Sequence, residues 1–272
     1  MEFQSWIETA EVSNVERCLR RQGAAMRLLR MHFEASVGHI GGNLSCLDIM
    51  LVAHHDAMNV GDQFVLSKGH AAGALYITLW TKGLISDRGL QQFHGGNGTK
   101  LSGHPPSGGI PGIPFATGSL GHGLGLSAGL ALARRFRGDG SQVICLTSDG
   151  EWNEGSNWES LIFCRQQMLQ NLIIIVDENG LQGFGRTKDV ADLSPLANKF
   201  REFGLLTVEV DGHDQRSMAE AMKLSHAQGP LMIVAKTTKG RGVSFMENEM
   251  KWHYLPMTQA QYRQACEELG AE

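Results

Sequence analysis

Two acidic tips, at residues 148–151 and 177–180, carry the first sign of chemistry. Ser148-Asp149-Gly150-Glu151 and Asp177-Glu178-Asn179-Gly180 each follow an apolar run. If those runs are neighbouring strands, Asp149 and Asn179 leave the sheet side by side. A carboxylate and an amide oxygen are hard donors, suited to Mg²⁺ or Ca²⁺ rather than zinc. Mg²⁺ takes few protein ligands and fills its shell with phosphate oxygens and water. Gly150 leaves room for a phosphate to reach the backbone N–H. Asp-Gly or Asn-Gly alone would read as a turn; the matched pair reads as a site. Glu154 stands at the entrance of the next helix. There it either complements the helix dipole or reaches a cofactor or metal-bound water.

Histidine gives an independent signal. Six of the eleven histidines adjoin a glycine (His39, His70, His94, His104, His122 and His213), more than twice the chance expectation. A glycine beside the ring suits a tight turn where a ligand comes close. The spacing fits no zinc pattern. Polar contacts to a hydroxylated substrate or an anionic cofactor fit better. One motif misleads. Gly123, Gly125 and Ala128 match a dinucleotide fingerprint, which needs a strand just before it. Pro111 and Pro114 precede it instead, so these glycines serve close helix packing.

These residues need elements to hold them. The runs at 143–148, 172–177, 205–210 and 230–237 are nearly continuous apolar strands, as in a parallel sheet buried on both faces. Helices are expected at 155–168, 191–203 and 214–227 between them. Upstream, the pattern predicts a helix over 9–36, one from Asn43 or Ser45 through Ala57, a strand at 64–67, a helix to Thr81, and a helix over 119–135. Residues 94–118, rich in Gly and Pro, form a long loop of the functional kind. The alternation spells an α/β fold, a doubly wound, mostly parallel sheet flanked by helices, with ligands at the strands' carboxyl ends.

Composition narrows the class. Glycine is 34 of 272 residues, about twice the usual share, without a collagen period. The net charge is −4, and basic residues cluster only at Arg17, Arg20 and Arg21, read as a solvated helix face. Nucleic acid is therefore discounted as a partner. No apolar run is long enough for a membrane span, and the acidic N-terminus lacks a signal-peptide core. Five scattered cysteines without CxxC spacing read as reduced thiols of a cytoplasmic protein.

The motifs then resemble a known family. Asp149-Gly150 followed by Asn179 is similar to the thiamine diphosphate signature, with Ser148 in place of its first glycine. FVLSKGHA (64–71), SGHP (102–105), TGSLGHGLG (117–125) and KTTKGRG (236–242) resemble transketolase, in order, over residues 23 to 253. The resemblance implies a single module over residues 1–272, the family's N-terminal diphosphate-binding (PP) module. It implies that Asp149, the Asn179 side chain and the Leu181 carbonyl bind Mg²⁺, with Ca²⁺ or Mn²⁺ as substitutes. Gly150 N–H and His70 then meet the diphosphate of thiamine diphosphate, with Glu151 beside them. Gly118 and Leu120 lie against the ring side of the cofactor. His39, His104 and His253 face the donor sugar and help proton transfer. Glu154 corresponds to the family's buried acid linking cofactor sites across an interface. GHIGG (38–42) departs from the GHPG phrase of full-length enzymes.

Transketolases carry a second module that supplies the glutamate activating the cofactor's pyrimidine ring. No acid here stands in a matching context. The resemblance thus implies a split, two-chain enzyme: this chain with a C-terminal, pyrimidine-binding subunit, two copies of each, moving a two-carbon unit from a ketose to an aldose, both commonly sugar phosphates. Two other readings compete. One is a different thiamine diphosphate reaction, a 1-deoxyxylulose-phosphate-synthase-like condensation or a 2-oxoacid decarboxylation. The other is a non-catalytic binding or regulatory subunit.

Overall fold

Every residue of the run Val143–Ser148 is buried, which only a central strand covered on both faces allows. The computed structural model describes residues 13–96 and 98–270. In it, β1 (Gln63–Leu66), β2 (Val143–Ser148), β3 (Leu172–Glu178), β6 (Leu206–Asp211) and β7 (Leu231–Lys236) form one sheet in the order β1-β2-β3-β7-β6. All its pairings are parallel. A two-residue hairpin pair, β4 (Leu181–Gln182) and β5 (Gly185–Arg186), follows β3.

Alternate side chains go to opposite faces, as the strand pleat requires. Ile144, Leu146, Ile173, Ile175, Leu231 and Ile233 face one apolar layer. That layer holds α1 (Asn14–Ala35), α2 (Ile40–Val52), α3 (Ala72–Thr81), α9 (Gln215–Met222) and α10 (Gln259–Gly270). Val143, Cys145, Leu172, Ile174, Met232 and Val234 face the other. It holds α5 (Gly123–Phe136), α6 (Gly155–Gln166) and α8 (Leu196–Glu202), so the expected α/β class stands. The short α4 (Asp87–Leu90) and α7 (Thr187–Val190) complete the α-helices of the described residues. None of the described helices is long and apolar enough to cross a membrane.

Several boundaries move for identifiable reasons. The start of α1 falls at Asn14, where Ser13 and Glu16 form a reciprocal capping box; the expected residues 9–12 lie outside the described residues. Helix α2 begins at Ile40, not at Asn43 or Ser45, because His39 in left-handed conformation (φ 66°) turns the chain into it. The Gly41-Gly42 pair thus lies inside the helix. A Cβ at Gly41 would sit 3.3 Å from both Lys239 and Trp252, so close approach explains this glycine. Helix α5 starts at Gly123 rather than 119, and only 196–202 of the predicted 191–203 is one helix, preceded by a cis Ser194–Pro195 bond.

Another expectation fails. Arg17, Arg20 and Arg21 are not a solvated face, for their side chains are only 13%, 21% and 11% exposed. Arg17 and Arg20 reach the buried Asp56, at 3.0 and 3.7 Å. Arg21 donates to the Arg241 carbonyl at 3.2 Å and lies 3.8 Å from Asp48. An α1 face that pairs with buried acids cannot be read from one-dimensional charge.

Candidate active site

Register sets the site. β2 and β3 are parallel neighbours with Ser148 opposite Asp177, so both tips leave the sheet at the same carboxyl edge. The Asp149 carboxylate straddles them. One oxygen accepts the Gly150 N–H at 2.7 Å, and the other accepts the Gly180 N–H at 2.6 Å. Burial, then the nearby Asp177 charge, push the Asp149 carboxyl up to about 7. Asn179 is also buried. Its amide N–H donates to Asp177 at 3.2 Å, and its oxygen accepts the Leu181 N–H at 3.1 Å.

Asp177 is paired with Lys68, and neither side chain is exposed at all. Burial alone would strip the Lys68 proton, but the Asp177 charge overcomes it and holds that lysine above its ordinary value. Asp177, despite its own burial, is held below the usual carboxylate range by Lys68.

Four histidines converge from four places in the chain. His39 turns into α2, His70 follows β1 in a 3₁₀ turn, His104 sits in the long loop, and His253 ends a second 3₁₀ turn. His39 is the hub, with ring centroids 5.7 Å from His70, 6.4 Å from His104 and 5.0 Å from His253. Asn43, fully buried in α2, fixes two of them. Its amide donates to the His39 carbonyl at 2.8 Å and the His70 carbonyl at 3.3 Å, and its oxygen accepts the Ala74 N–H at 2.6 Å.

All four rings are held neutral near neutral pH. Burial and then His104 lower His39. Burial, then Lys68, put His70 well below its ordinary value. Burial lowers His104, and burial followed by Lys239 takes His253 down to about 3.

A cavity of about 340 Å³ unites these groups. Of the sequence-predicted residues, His39, His70, His104, His253, Gly118 and Leu120 line it, with Asp149, Gly150, Glu154, Asn179 and Leu181. Glu154 is exposed at its edge in this chain. Glu151 departs from expectation: it does not line the cavity. Its buried carboxylate accepts the Gly121 N–H at 2.9 Å, the Ser148 N–H at 3.2 Å and the Ser67 hydroxyl, clamping the ends of β1 and β2 to the entrance of α5. Three of the six glycine-flanked histidines stay out. His94 packs on Phe93, His122 is exposed, and His213 pairs with Asp48 at 3.0 Å. A larger cavity of about 640 Å³ beyond the Asn179–Leu181 tip gathers no histidine.

Sequence reasoning missed Lys239, although it lies in the KTTKGRG run. Its ammonium is buried, 3.4 Å from the Leu181 carbonyl and 3.3 Å from His253 Nδ1. Burial and then Lys68 lower it to about 8. Tyr254, whose hydroxyl donates to the Gly183 carbonyl at 2.7 Å, and Gln182 were missed as well.

The residues fit a diphosphate held through a hard cation. A Cβ at Gly150 would lie 2.7 Å from Gln182, and one at Gly118 (φ 147°) would lie 2.8 Å from His104, so both positions keep backbone open to the cavity. Gln182 Nε2 is a buried donor with no partner, which a ligand acceptor would satisfy. Among the described residues, no three His, Cys, Asp or Glu side chains gather as for a transition metal. One carboxylate, one amide and one backbone carbonyl instead make an all-oxygen donor set.

Comparison with known proteins agrees. Residues 23–272 match the transketolase, thiamine diphosphate binding domain, which sets the class as a cofactor-binding α/β module. The chain belongs to the transketolase family. It is 37% identical, over 90% of both chains, to an apulose-4-phosphate transketolase subunit from Phocaeicola vulgatus. It is 33% identical to the 6-deoxy-6-sulfo-D-fructose transketolase subunit SqwG of Clostridium sp., over 93% of this chain and 97% of that one. The crystal structure of transketolase from Campylobacter jejuni superposes with a TM-score of 0.81 at 28% identity, over 93% of this chain. The chain spans only 43% of that protein's length.

Proposed function

We propose that this chain is the thiamine diphosphate- and Mg²⁺-holding subunit of a transketolase built from two kinds of chain, one PP module per copy. The carrying observation is one cavity at the β2 and β3 ends that joins Asp149 and Asn179 to four neutral histidines. Thiamine diphosphate, when bound, supplies the carbanion chemistry.

Asp149, Asn179 and the Leu181 carbonyl hold Mg²⁺, or Ca²⁺ or Mn²⁺ in its place. The Gly150 N–H and His70 take the diphosphate, and Gly118 and Leu120 border the rings. His39, His104 and His253 are neutral, so each offers one N–H donor and one acceptor nitrogen to sugar hydroxyls. That is also the state needed to exchange protons with them. Glu154 faces a neighbouring site across an assembly interface.

Two of the relatives, from Phocaeicola vulgatus and Clostridium sp., are each named as one subunit of a transketolase. Those names support a partner chain; our reading makes it a C-terminal type that brings the pyrimidine-binding module, in an α2β2 complex. With their phosphate- and sulfo-bearing sugars, they also support a ketose with an anionic terminus as donor; an aldose is the acceptor in this reading. Buried thiols at Cys46, Cys145 and Cys164 suit a reducing cytoplasm.

Calorimetric titration with thiamine diphosphate and Mg²⁺, with and without the partner chain, tests the cofactor. Transfer assays on the same samples test the enzyme. Two-carbon transfer is expected from the pair only. Absence of heat in both conditions would defeat the cofactor assignment, and full turnover by the single chain would defeat the two-chain assignment.

A further inference from the structure

Directly beneath the Asp149 and Asn179 tips lies the fully buried pair of Lys68 and Asp177. Lys68 also donates to the Gly42 carbonyl at 3.0 Å. Asp177 receives the Lys68 ammonium, the Thr237 hydroxyl, the Ser45 hydroxyl at 2.6 Å and the Asn179 amide N–H at 3.2 Å. Desolvation offsets most of the attraction in a pair this dry, so stability is a weak reason to have one. The Asn179 contact supplies a better reason.

An amide has one oxygen, and a half-turn about its last bond puts nitrogen in its place. The Asp177 carboxylate already receives the Lys68 ammonium and two hydroxyls, so it meets Asn179 as an acceptor and the side that faces it must be the NH₂. The oxygen is thereby left to the Leu181 N–H and to a cation. Without Asp177, only the one Leu181 hydrogen bond would oppose the half-turn. We propose that Asp177, held in place by its buried pair with Lys68, is a positioning residue that presents the Asn179 oxygen to the cation. This rests on the cofactor assignment made above.

The test replaces the pair with apolar groups of similar size, Lys68→Met with Asp177→Leu, in the assembled complex. Ser45 keeps the Gly42 carbonyl as an acceptor at 3.1 Å, so its hydroxyl is not orphaned. Thermal melting should show a folded protein, since such exchanges are often neutral or stabilising. Calorimetry should show Mg²⁺-dependent thiamine diphosphate binding weakened about ten- to a hundredfold, the usual effect of losing a group that orients a metal ligand.

Adding Asn179→Asp should restore most of that loss, because a carboxylate presents oxygen in either orientation. The same change in the wild type should gain little. Unchanged affinity in the folded double variant, or no rescue, would overturn the proposal while leaving the cofactor assignment intact. A wild-type complex that binds neither Mg²⁺ nor thiamine diphosphate would overturn both. If the double variant does not fold, Ser45→Ala with Thr237→Val frees the same carboxylate while keeping the ion pair. A smaller loss of affinity is then expected, and none would overturn the proposal.

Discussion

Replacing Asp149 with Asn should stabilise the metal-free protein while ending cation-dependent cofactor binding. Burial and the Asp177 charge raise this carboxyl from 3.8 to about 7. Each pKa unit is worth about 1.4 kcal/mol, so keeping Asp149 ionised at pH 8 costs about 4 kcal/mol. The folded state binds this proton more tightly than the unfolded state does. Its stabilising effect is therefore full below pH 3.8 and is lost as pH rises through about 7.

Asparagine carries no charge to desolvate, but it has one oxygen where Asp149 receives N–H groups on two. One donor is left facing an NH₂, at about 1–3 kcal/mol. The balance favours the variant by about 1–3 kcal/mol at pH 8, or roughly 3–10 °C in melting temperature for a chain this long. Melting curves with a chelator at pH 8 and pH 5 measure it, and the advantage should shrink or reverse at pH 5. A variant less stable than wild type at pH 8, or one that still titrates with thiamine diphosphate and Mg²⁺, would refute the reasoning.

Acid should weaken the fold through two other groups. Burial takes His32 and His54 from 6.5 down to about 4 each, against the Gly38 and Met50 carbonyls that would raise them. Stability from each is full above pH 6.5 and falls by about 1.4 kcal/mol per unit as pH drops towards 4. Replacing His32 with Asn should flatten urea-unfolding stability between those limits by that slope, and an unchanged slope would contradict the assignment. In α5, Gly123→Ala should destabilise by about 1–3 kcal/mol or more, because its Cβ would fall 2.3 Å from Ser67 Oγ and 2.6 Å from its Cα. Gly129→Ala, in open space on the same helix, should stabilise by about 0.5–1 kcal/mol. Chemical denaturation that ranks the two the other way would show that helix propensity, not packing, governs this helix.

What the sequence revealed depended on range. Strands β2, β3 and β7 were legible because both faces are buried and the apolar runs are uninterrupted, whereas the edge strand β6 alternates in burial. The Asp149 and Asn179 tips followed from strand ends alone, since parallel neighbours share a carboxyl edge. Glycine beside histidine found His39, His70 and His104 but not His253, which lies between Trp252 and Tyr254. Lys68, Asp177 and Lys239 stayed hidden because a buried charge is recognised by its partner, and Lys68 and Asp177 are 109 residues apart. Helix α10 was missed for a different reason: only Ala265 and Leu269 are buried, so it shows no broad apolar stripe. A local signal was present, for Thr258 and Gln261 exchange N-terminal capping bonds at 2.9 and 3.3 Å.

The electrostatics of the cavity bear on the proposed divalent cation. The four histidine rings are held neutral, and Lys239, lowered to about 8, still carries its proton at neutral pH. Lys68 is spent on Asp177 and lies outside the cavity lining. The site therefore offers a polyanion a single side-chain positive charge, that of Lys239. A diphosphate placed beside Asp149 would add repulsion to a carboxylate that burial already opposes. A divalent cation between them removes both penalties at once: it lets Asp149 ionise and supplies the charge the imidazoles withhold. On this reading the neutrality of the histidines is part of the design, since imidazolium rings would compete with the metal for the diphosphate and lose the acceptor nitrogens that sugar hydroxyls need. Cofactor affinity should accordingly depend steeply on Mg²⁺ at neutral pH and not be replaced by added protons, the opposite of a site where cationic histidines bind the phosphates.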